Sequence, residues 1–202
     1  LEISSIVLAG GKSSRLGYDK VFKSVGDRNL LDLVLNCVAP LSQETILVAA
    51  SKNGPVIADK YPGLKLAFDV YPGKGPLGGV YTGLLISTSF HNLVVASDMP
   101  FLNLALLNYM IQLSADYDLV VPRVGELVEP LHAVYARSCR DPMEQLLKRN
   151  ELSLHRLFPM VRTRYVEIDE IDRFDPEHLS FFNVNTRADL LQAEEIARGM
   201  AR

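Results

Sequence analysis

The chain has 202 residues, enough for one sizeable core, and 48% of them are hydrophobic against 22% charged, the composition of a globular protein in water. Its net charge of -3 excludes nucleic-acid binding by bulk electrostatics. No apolar run is long enough to cross a bilayer, no signal peptide is apparent, and Cys37 and Cys139 form no C-x-x-C pair or disulfide framework, so a cytoplasmic setting without membrane partners is expected.

Short apolar runs alternate with longer amphipathic segments. Ser5 to Ala9 reads as a buried strand that ends in a glycine loop. Leu30 to Val38 carries apolar residues at helical spacing, with Pro40 just beyond. Thr45 to Ala49 is the next strand, followed by a turn at Gly54-Pro55, a short helix from Val56 to Tyr61 and a strand from Leu64 to Phe68. Leu77 to Ser89 reads as a helix, and His91 to Ala96 as the most apolar strand, running into Ser97-Asp98-Met99-Pro100. Leu104 to Leu113 is helical, Tyr117 to Val121 and Leu131 to Tyr135 are strands, and Ser138 to Lys148 and Ser153 to Phe158 are helical. A strand from Arg164 to Ile168 precedes a C-terminal helix from Thr186 to Met200, with Thr186 as N-cap and Asp189 in the capping-box position.

This alternation predicts an α/β fold with a mostly parallel sheet covered by helices on both faces. No repeat or linker divides the chain, so residues 1–202 read as a single domain. Ligands of such sheets sit beyond the carboxyl ends of the strands. The loops after Leu8, Phe68 and Ala96 are all expected at that end.

In the first of these loops, Gly10 and Gly11 let the backbone approach a ligand without Cβ interference, and backbone N–H groups can point at phosphate oxygens. Arg15 offers a planar fork to phosphate and Lys20 a point charge. A Walker A loop would need glycine where Ile6 stands, and the dinucleotide fingerprint would need glycine at Lys12 and Arg15. Asp98, at the end of an apolar strand, suits a carboxylate that holds Mg²⁺ against triphosphate oxygens. Asp69 ends another strand, where its carboxylate can accept hydrogen bonds from guanine N1–H and the exocyclic amine. His132 reads as a half-buried strand histidine rather than a catalytic one.

The segment Leu8-Ala9-Gly10-Gly11 with Arg15, Gly17, Asp19 and Lys20 resembles the L-A-G-G-x-x-x-R-x-G-x-D-K signature of the GT-A-like nucleotidyltransferases. Within that group the chain is most similar to the molybdenum cofactor guanylyltransferases. Ser97-Asp98-Met99-Pro100-Phe101 resembles their metal motif, Asp69 with Gly75-Pro76-Leu77-Gly78-Gly79 their second block, and Glu129-Pro130-Leu131-His132-Ala133-Val134-Tyr135 their x-P-L-x-A-V-Y block. Phe182-Asn183-Val184-Asn185-Thr186 resembles their terminal block, and the blocks run in the family's order from Leu8 to the last helix.

The resemblance implies a Rossmann-like GT-A fold, with an N-terminal half that binds nucleotide and a C-terminal half that binds the acceptor. It implies transfer of GMP from GTP to molybdenum cofactor (molybdopterin), with release of pyrophosphate and Mg²⁺ as cofactor. Arg15, Lys20 and Asp98 would be catalytic, with Asp98 as the metal ligand. Leu8, Ala9, Gly10, Gly11, Lys20, Ser51, Asp69, Gly78 and Asp98 would bind the nucleotide. Asn183 and Asn185 would bind the pterin acceptor, Glu129 and Gly125 would line its site, and some of Lys148, Arg149, Arg156, Arg162 and Arg164 would attract its phosphate. The family often has Asn near Ser51, where this chain has Ser51 and then Asn53. Transient contacts with molybdoenzymes or other cofactor-biosynthesis proteins also follow from the resemblance. The rival readings are a cytidylyltransferase for the same acceptor, another nucleotidyltransferase, and a GTP-binding regulator without transfer activity.

Overall fold

Every residue of Ile3–Ala9 is buried, as a strand covered on both faces must be. This strand, β1, lies inside the main sheet of a computed structural model that describes residues 1–9, 24–49, 59–61 and 64–200. The other strands of the sheet are β4 (Glu44–Ala49), β5 (Lys65–Phe68), β6 (His91–Ala96), β7 (Leu119–Val124), β8 (Leu127–Val128), β9 (His132–Ala136) and β10 (Thr163–Val166). A separate hairpin pairs β2 (Ser24–Val25) with β3 (Arg28–Asn29). The strand order is β10-β7-β9-β6-β1-β4-β5, with β8 paired to β7.

β1 pairs in parallel with β4 and β6, β4 with β5, and β7 with β10. β9 is antiparallel to both of its neighbours, β6 and β7. The expectation of a mostly parallel sheet therefore holds, with β9 as the reversed member of the main strand path. The reversal follows from the connection: β7 turns through Gly125 (φ +62°) into β8 and returns as β9 without a helical crossover, and parallel pairing would need one. Consequently the beginning of β9 lies at the same edge of the sheet as the ends of β1, β5 and β6.

Helices cover both faces. Alternation along β1 sends Ile6 and Leu8 to one side, against α2 (Gly75–Ile86) and α4 (Arg140–Lys148). Val7 and Ala9 face the other, against α1 (Leu30–Val38) and α3 (Leu104–Leu113). After a one-turn helix, α5 (Ile168–Ile171), the chain ends in α6 (Arg187–Met200), whose Ala193 packs with Val184, Val25 and Leu30.

The boundaries differ from expectation where local chemistry intervenes. α2 begins at Gly75 rather than Leu77, because Pro76 in the first turn lacks only an N–H that the helix would leave unpaired. Ser153 to Phe158 is not one helix but two short 3₁₀ turns, Leu154–Arg156 and Phe158–Met160. The expected strand at Arg164 ends by Val166, since Glu167 and Glu170 form a capping box that starts α5 at Ile168. Of the expected Val56 to Tyr61 helix, Asp59 and Lys60 are helical, and residues 56–58 lie outside the described residues. Thr186 does cap α6: its Oγ1 accepts from the Asp189 N–H at 3.1 Å, and the Asp189 carboxylate accepts from the Thr186 N–H at 2.7 Å.

Two interactions make the assembly testable. An added Cβ at Gly83 in α2 would stand 2.4 Å from Ile6 Cγ2, so this glycine sets how closely α2 approaches β1. Gly83→Ala is expected to destabilise the fold by about 1–3 kcal/mol in denaturant unfolding, as overpacking does. Gly199→Ala, where a Cβ would meet nothing within 4 Å, is the control and stays neutral or slightly stabilising.

At the opposite edge of the sheet, Glu44 accepts from Ser4 Oγ, Thr88 N and Thr88 Oγ1, each at 2.7 Å, and pairs with Lys65 Nζ at 2.8 Å. Burial pushes the Glu44 carboxyl up, but Lys65, Thr88 and Ser4 together outweigh it and lower it from 4.5 to about 2. A depressed folded-state value means stability that is present above 4.5 and lost as pH falls toward about 2. The stability difference between wild type and Glu44→Gln is therefore expected to be constant above that window and to shrink within it, as read from unfolding at stepped pH.

Candidate active site

The ends of β1 and β6 and the start of β9 meet at one corner of the sheet. The Ser97 N–H donates to the Leu8 carbonyl at 3.0 Å, fixing the exit of β6 beside the exit of β1. The Ala96 N–H donates to the Leu131 carbonyl at 3.1 Å, fixing the approach to β9 beside the same exit. The Val184 N–H donates to the Asp98 carbonyl at 2.9 Å, tying the terminal block to this point. Leu8, Ala9, Asp98, Glu129 and Asn183, distant in sequence, are thus gathered around one corner. Gly10, Gly11, Arg15, Lys20, Ser51 and Asn53 lie outside the described residues.

Asp98 is half-exposed and follows β6 directly. Its negative charge reaches Glu129, whose carboxyl is raised first by burial and then by Asp98. Among the described residues no three His, Cys, Asp or Glu side chains converge as a metal cage. Asp98 and Glu129 bring two carboxylates to this corner.

Asp69 has a structural task at the start of its loop. Its Oδ1 accepts from the Tyr71 N–H at 2.9 Å and from Thr82 Oγ1 at 3.2 Å. Thr82 also lies 2.8 Å from the Gly78 carbonyl and accepts from the Val70 N–H at 3.1 Å. One carboxylate oxygen is therefore spent on holding residues 70–74 against α2. Gly78 has a matching reason: an added Cβ would lie 3.0 Å from the Tyr71 carbonyl oxygen and 3.2 Å from Asp69 Oδ1. Gly73 and Gly75 supply the positive φ angles, +83° and +66°, that turn this loop into the helix.

Asn183 is half-buried, with its side-chain N–H donating to the Phe181 carbonyl at 2.9 Å. It lines a cavity of about 310 Å³ together with Met99, Glu129, Leu131 and Leu154. Asn185 is exposed, and its N–H donates to the cap residue Asp189 at 2.8 Å. Asn185 is not among the cavity residues, and Gly125 sits away from them in the β7–β8 turn.

His132 is wholly buried rather than half-buried. Its ring packs edge-on to Phe181 at 5.0 Å, and neither ring nitrogen has a partner among the described residues. Burial lowers it to about 4 against the pull of Asp175, so it is a neutral core residue at neutral pH, in keeping with a non-catalytic reading. Of the basic residues near the C-terminal half, Lys148 pairs with Glu144, Arg162 with Asp118 and Arg164 with Glu170. Those three are engaged within the fold, while Arg149 and Arg156 have no ion pair among the described residues.

Sequence reasoning did not find Thr82 or the cavity wall at Leu152 to His155. Thr82 had no local signal, because its partners lie at the far end of a loop. The wall segment looked like an ordinary helix.

The model of the MobA-like NTP transferase domain matches residues 5–164. A probable molybdenum cofactor guanylyltransferase of Peptoclostridium acidaminophilum is 33% identical over 204 residues, with 96% of this chain and 90% of that protein covered. Another from Methanosarcina mazei is 35% identical over 197 residues, with 93% and 88% covered. Among solved structures, molybdopterin-guanine dinucleotide biosynthesis protein A from Archaeoglobus fulgidus superposes with a TM-score of 0.85 at 28% identity, covering 98% of this chain and all of that one. A 2-C-methyl-D-erythritol 4-phosphate cytidylyltransferase from Thermus thermophilus, at 19% identity, TM-score 0.72 and 98% and 100% coverage, shares the fold.

The two uses of Asp69 separate by substitution. Asp69→Ala removes both hydrogen bonds at Oδ1 and is expected to cost about 1–3 kcal/mol of stability. Asp69→Asn keeps an acceptor oxygen there and is expected to stay within about 0.5 kcal/mol of wild type, the range of changes that disturb no such feature, as read from denaturant midpoints.

Proposed function

The chain belongs to the MobA-like NTP transferase family, and from that premise we propose that it transfers GMP from GTP to molybdenum cofactor. The single observation that carries the acceptor side is the Val184–Asp98 hydrogen bond, which holds the terminal block with Asn183 beside the strand-end carboxylate. The relatives' names and the ordered motifs from Leu8 to Thr186 support the guanylyl reading over cytidylyl transfer.

A terminal phosphate oxygen of the acceptor attacks the α-phosphorus of GTP in line. The bond from the α-phosphorus to the bridging oxygen breaks, and pyrophosphate leaves. The attacking phosphate is already ionised, so the step needs no strong general base, and neutral, buried His132 is not required to act as one. Arg15 and Lys20 stabilise the phosphate charge, with the amides of Gly10 and Gly11 assigned as further phosphate donors. Asp98 would hold Mg²⁺, which would supply neutralisation of the triphosphate charge. Leu8 and Ala9 bring the chain to the nucleotide, and Ser51, Asp69 and Gly78 are assigned to the nucleoside. Asn183 and Asn185 meet the acceptor.

Pyrophosphate release measured with each of the four nucleoside triphosphates, with and without molybdenum cofactor, tests this function. Release is expected with GTP, only when acceptor is present, and to stop on chelation and return with Mg²⁺. GTP binding without release would overturn it in favour of a regulator, and equal or faster release with CTP would overturn the base assignment. Asp98→Ala is expected to lower kcat by about a hundredfold or more, and undiminished turnover would remove Asp98 from the metal role. Lys20→Ala is expected to weaken both GTP affinity and rate, and normal values for both would remove the phosphate clamp.

A further inference from the structure

Glu129 is half-buried on the turn that leads into β9. Its backbone is held on both sides: the N–H donates to the Pro122 carbonyl at 3.2 Å and the carbonyl accepts from the His132 N–H at 3.1 Å. Its side chain, by contrast, has no hydrogen bond or ion pair among the described residues. It faces the 310 Å³ cavity, whose other walls are largely apolar, including Pro76, Met99, Pro130, Leu131 and Leu154. Ligand pockets combine such apolar walls with a few fixed polar groups, and this volume is at the small end of their range.

A half-buried carboxylate with both oxygens open, on a rigid turn, matches a ligand edge with two adjacent N–H donors. The amino-pyrimidinone edge common to pterin and guanine is such an edge. Asp69 is less suited to grip both donors, since its Oδ1 already holds Tyr71 N and Thr82 Oγ1. The cavity's place favours the pterin over the guanine. It lies beside Asn183 and the start of β9, across β6 from the β1 exit.

We infer that Glu129 is a specificity residue for the acceptor and accepts, through its two carboxylate oxygens, from the ring N–H and exocyclic amine of the pterin. This rests on the acceptor proposed above. The apolar walls sandwich the ring, and Asn183 lies within reach of the same ligand. The carboxylate acts in recognition and takes no part in phosphoryl transfer.

Steady-state kinetics of wild type and Glu129→Gln, with GTP and molybdenum cofactor each varied in turn, test the inference. An amide keeps one acceptor oxygen but sets an N–H2 against the second donor and removes the charge, so Glu129→Gln is expected to raise the acceptor KM about tenfold to a hundredfold, as loss of a charged hydrogen-bond pair does. The GTP KM and kcat should stay within about twofold of wild type, well below such a loss. Glu129→Asp, which keeps the charge on a shorter arm, is expected to give an intermediate acceptor KM, and thermal unfolding of each variant reports any fold defect. A selective rise in the GTP KM would overturn the inference, because the carboxylate would then hold guanine. A fall in kcat with both KM values unchanged would overturn it too, because the residue would act on transfer, and so would unchanged kinetics throughout. If wild type itself releases no pyrophosphate with this acceptor, the proposed function fails and the inference falls with it. If wild type turns over and the variant matches it, only the inference fails.

Discussion

The hydrogen bond from the Ser97 amide to the Leu8 carbonyl joins the exits of β1 and β6, and the rest of the site depends on that junction. A parallel pair ends at the same edge, so the exit of β1 at Ala9 and the segment that carries Asp98 are neighbours by construction. Both strands are buried along their length. The junction therefore cannot slide by one residue without turning a whole set of apolar side chains to the wrong face. Precision at the site is inherited from burial at the centre of the sheet.

The reversal of β9 brings its starting turn to the edge where β1 and β6 end. Were β9 parallel to β6, Glu129 and Leu131 would lie at the far end of the sheet. Running antiparallel, it delivers the turn at Glu129 next to Asp98, and the same-sign charges of these carboxylates raise Glu129 on top of the effect of burial. Two acids in one corner can then serve different ends.

How much of this was legible in the sequence depended on the range of the interaction concerned. β1, β6, α1 and the Thr186 cap were readable because periodicity and capping are local. The resemblance supplied the order of the blocks. Strand direction was not readable in Leu131 to Tyr135, because alternation is the same either way along a strand. The double duty of Asp69 was hidden as well, since its partner Thr82 sits thirteen residues on, in the second turn or so of a helix. His132 looked half-buried because its strand alternates. It is fully buried because Phe181, from a segment about fifty residues later, closes over it.

That late segment also accounts for a buried histidine that has no hydrogen bond among the described residues. The Asp175 carboxylate accepts from the Leu179 and Ser180 N–H groups at 3.1 and 2.8 Å, and Ser180 Oγ accepts from the Asn103 N–H at 3.0 Å. These bonds hold the segment onto the start of α3 and set Phe181 against the His132 ring. Two residues beyond Phe181, Asn183 enters the cavity, and the Val184 bond to Asp98 closes the path. Phe181 thus sets its ring edge-on against an imidazole that burial keeps neutral near neutral pH, and that contact costs far less than burying a charge would.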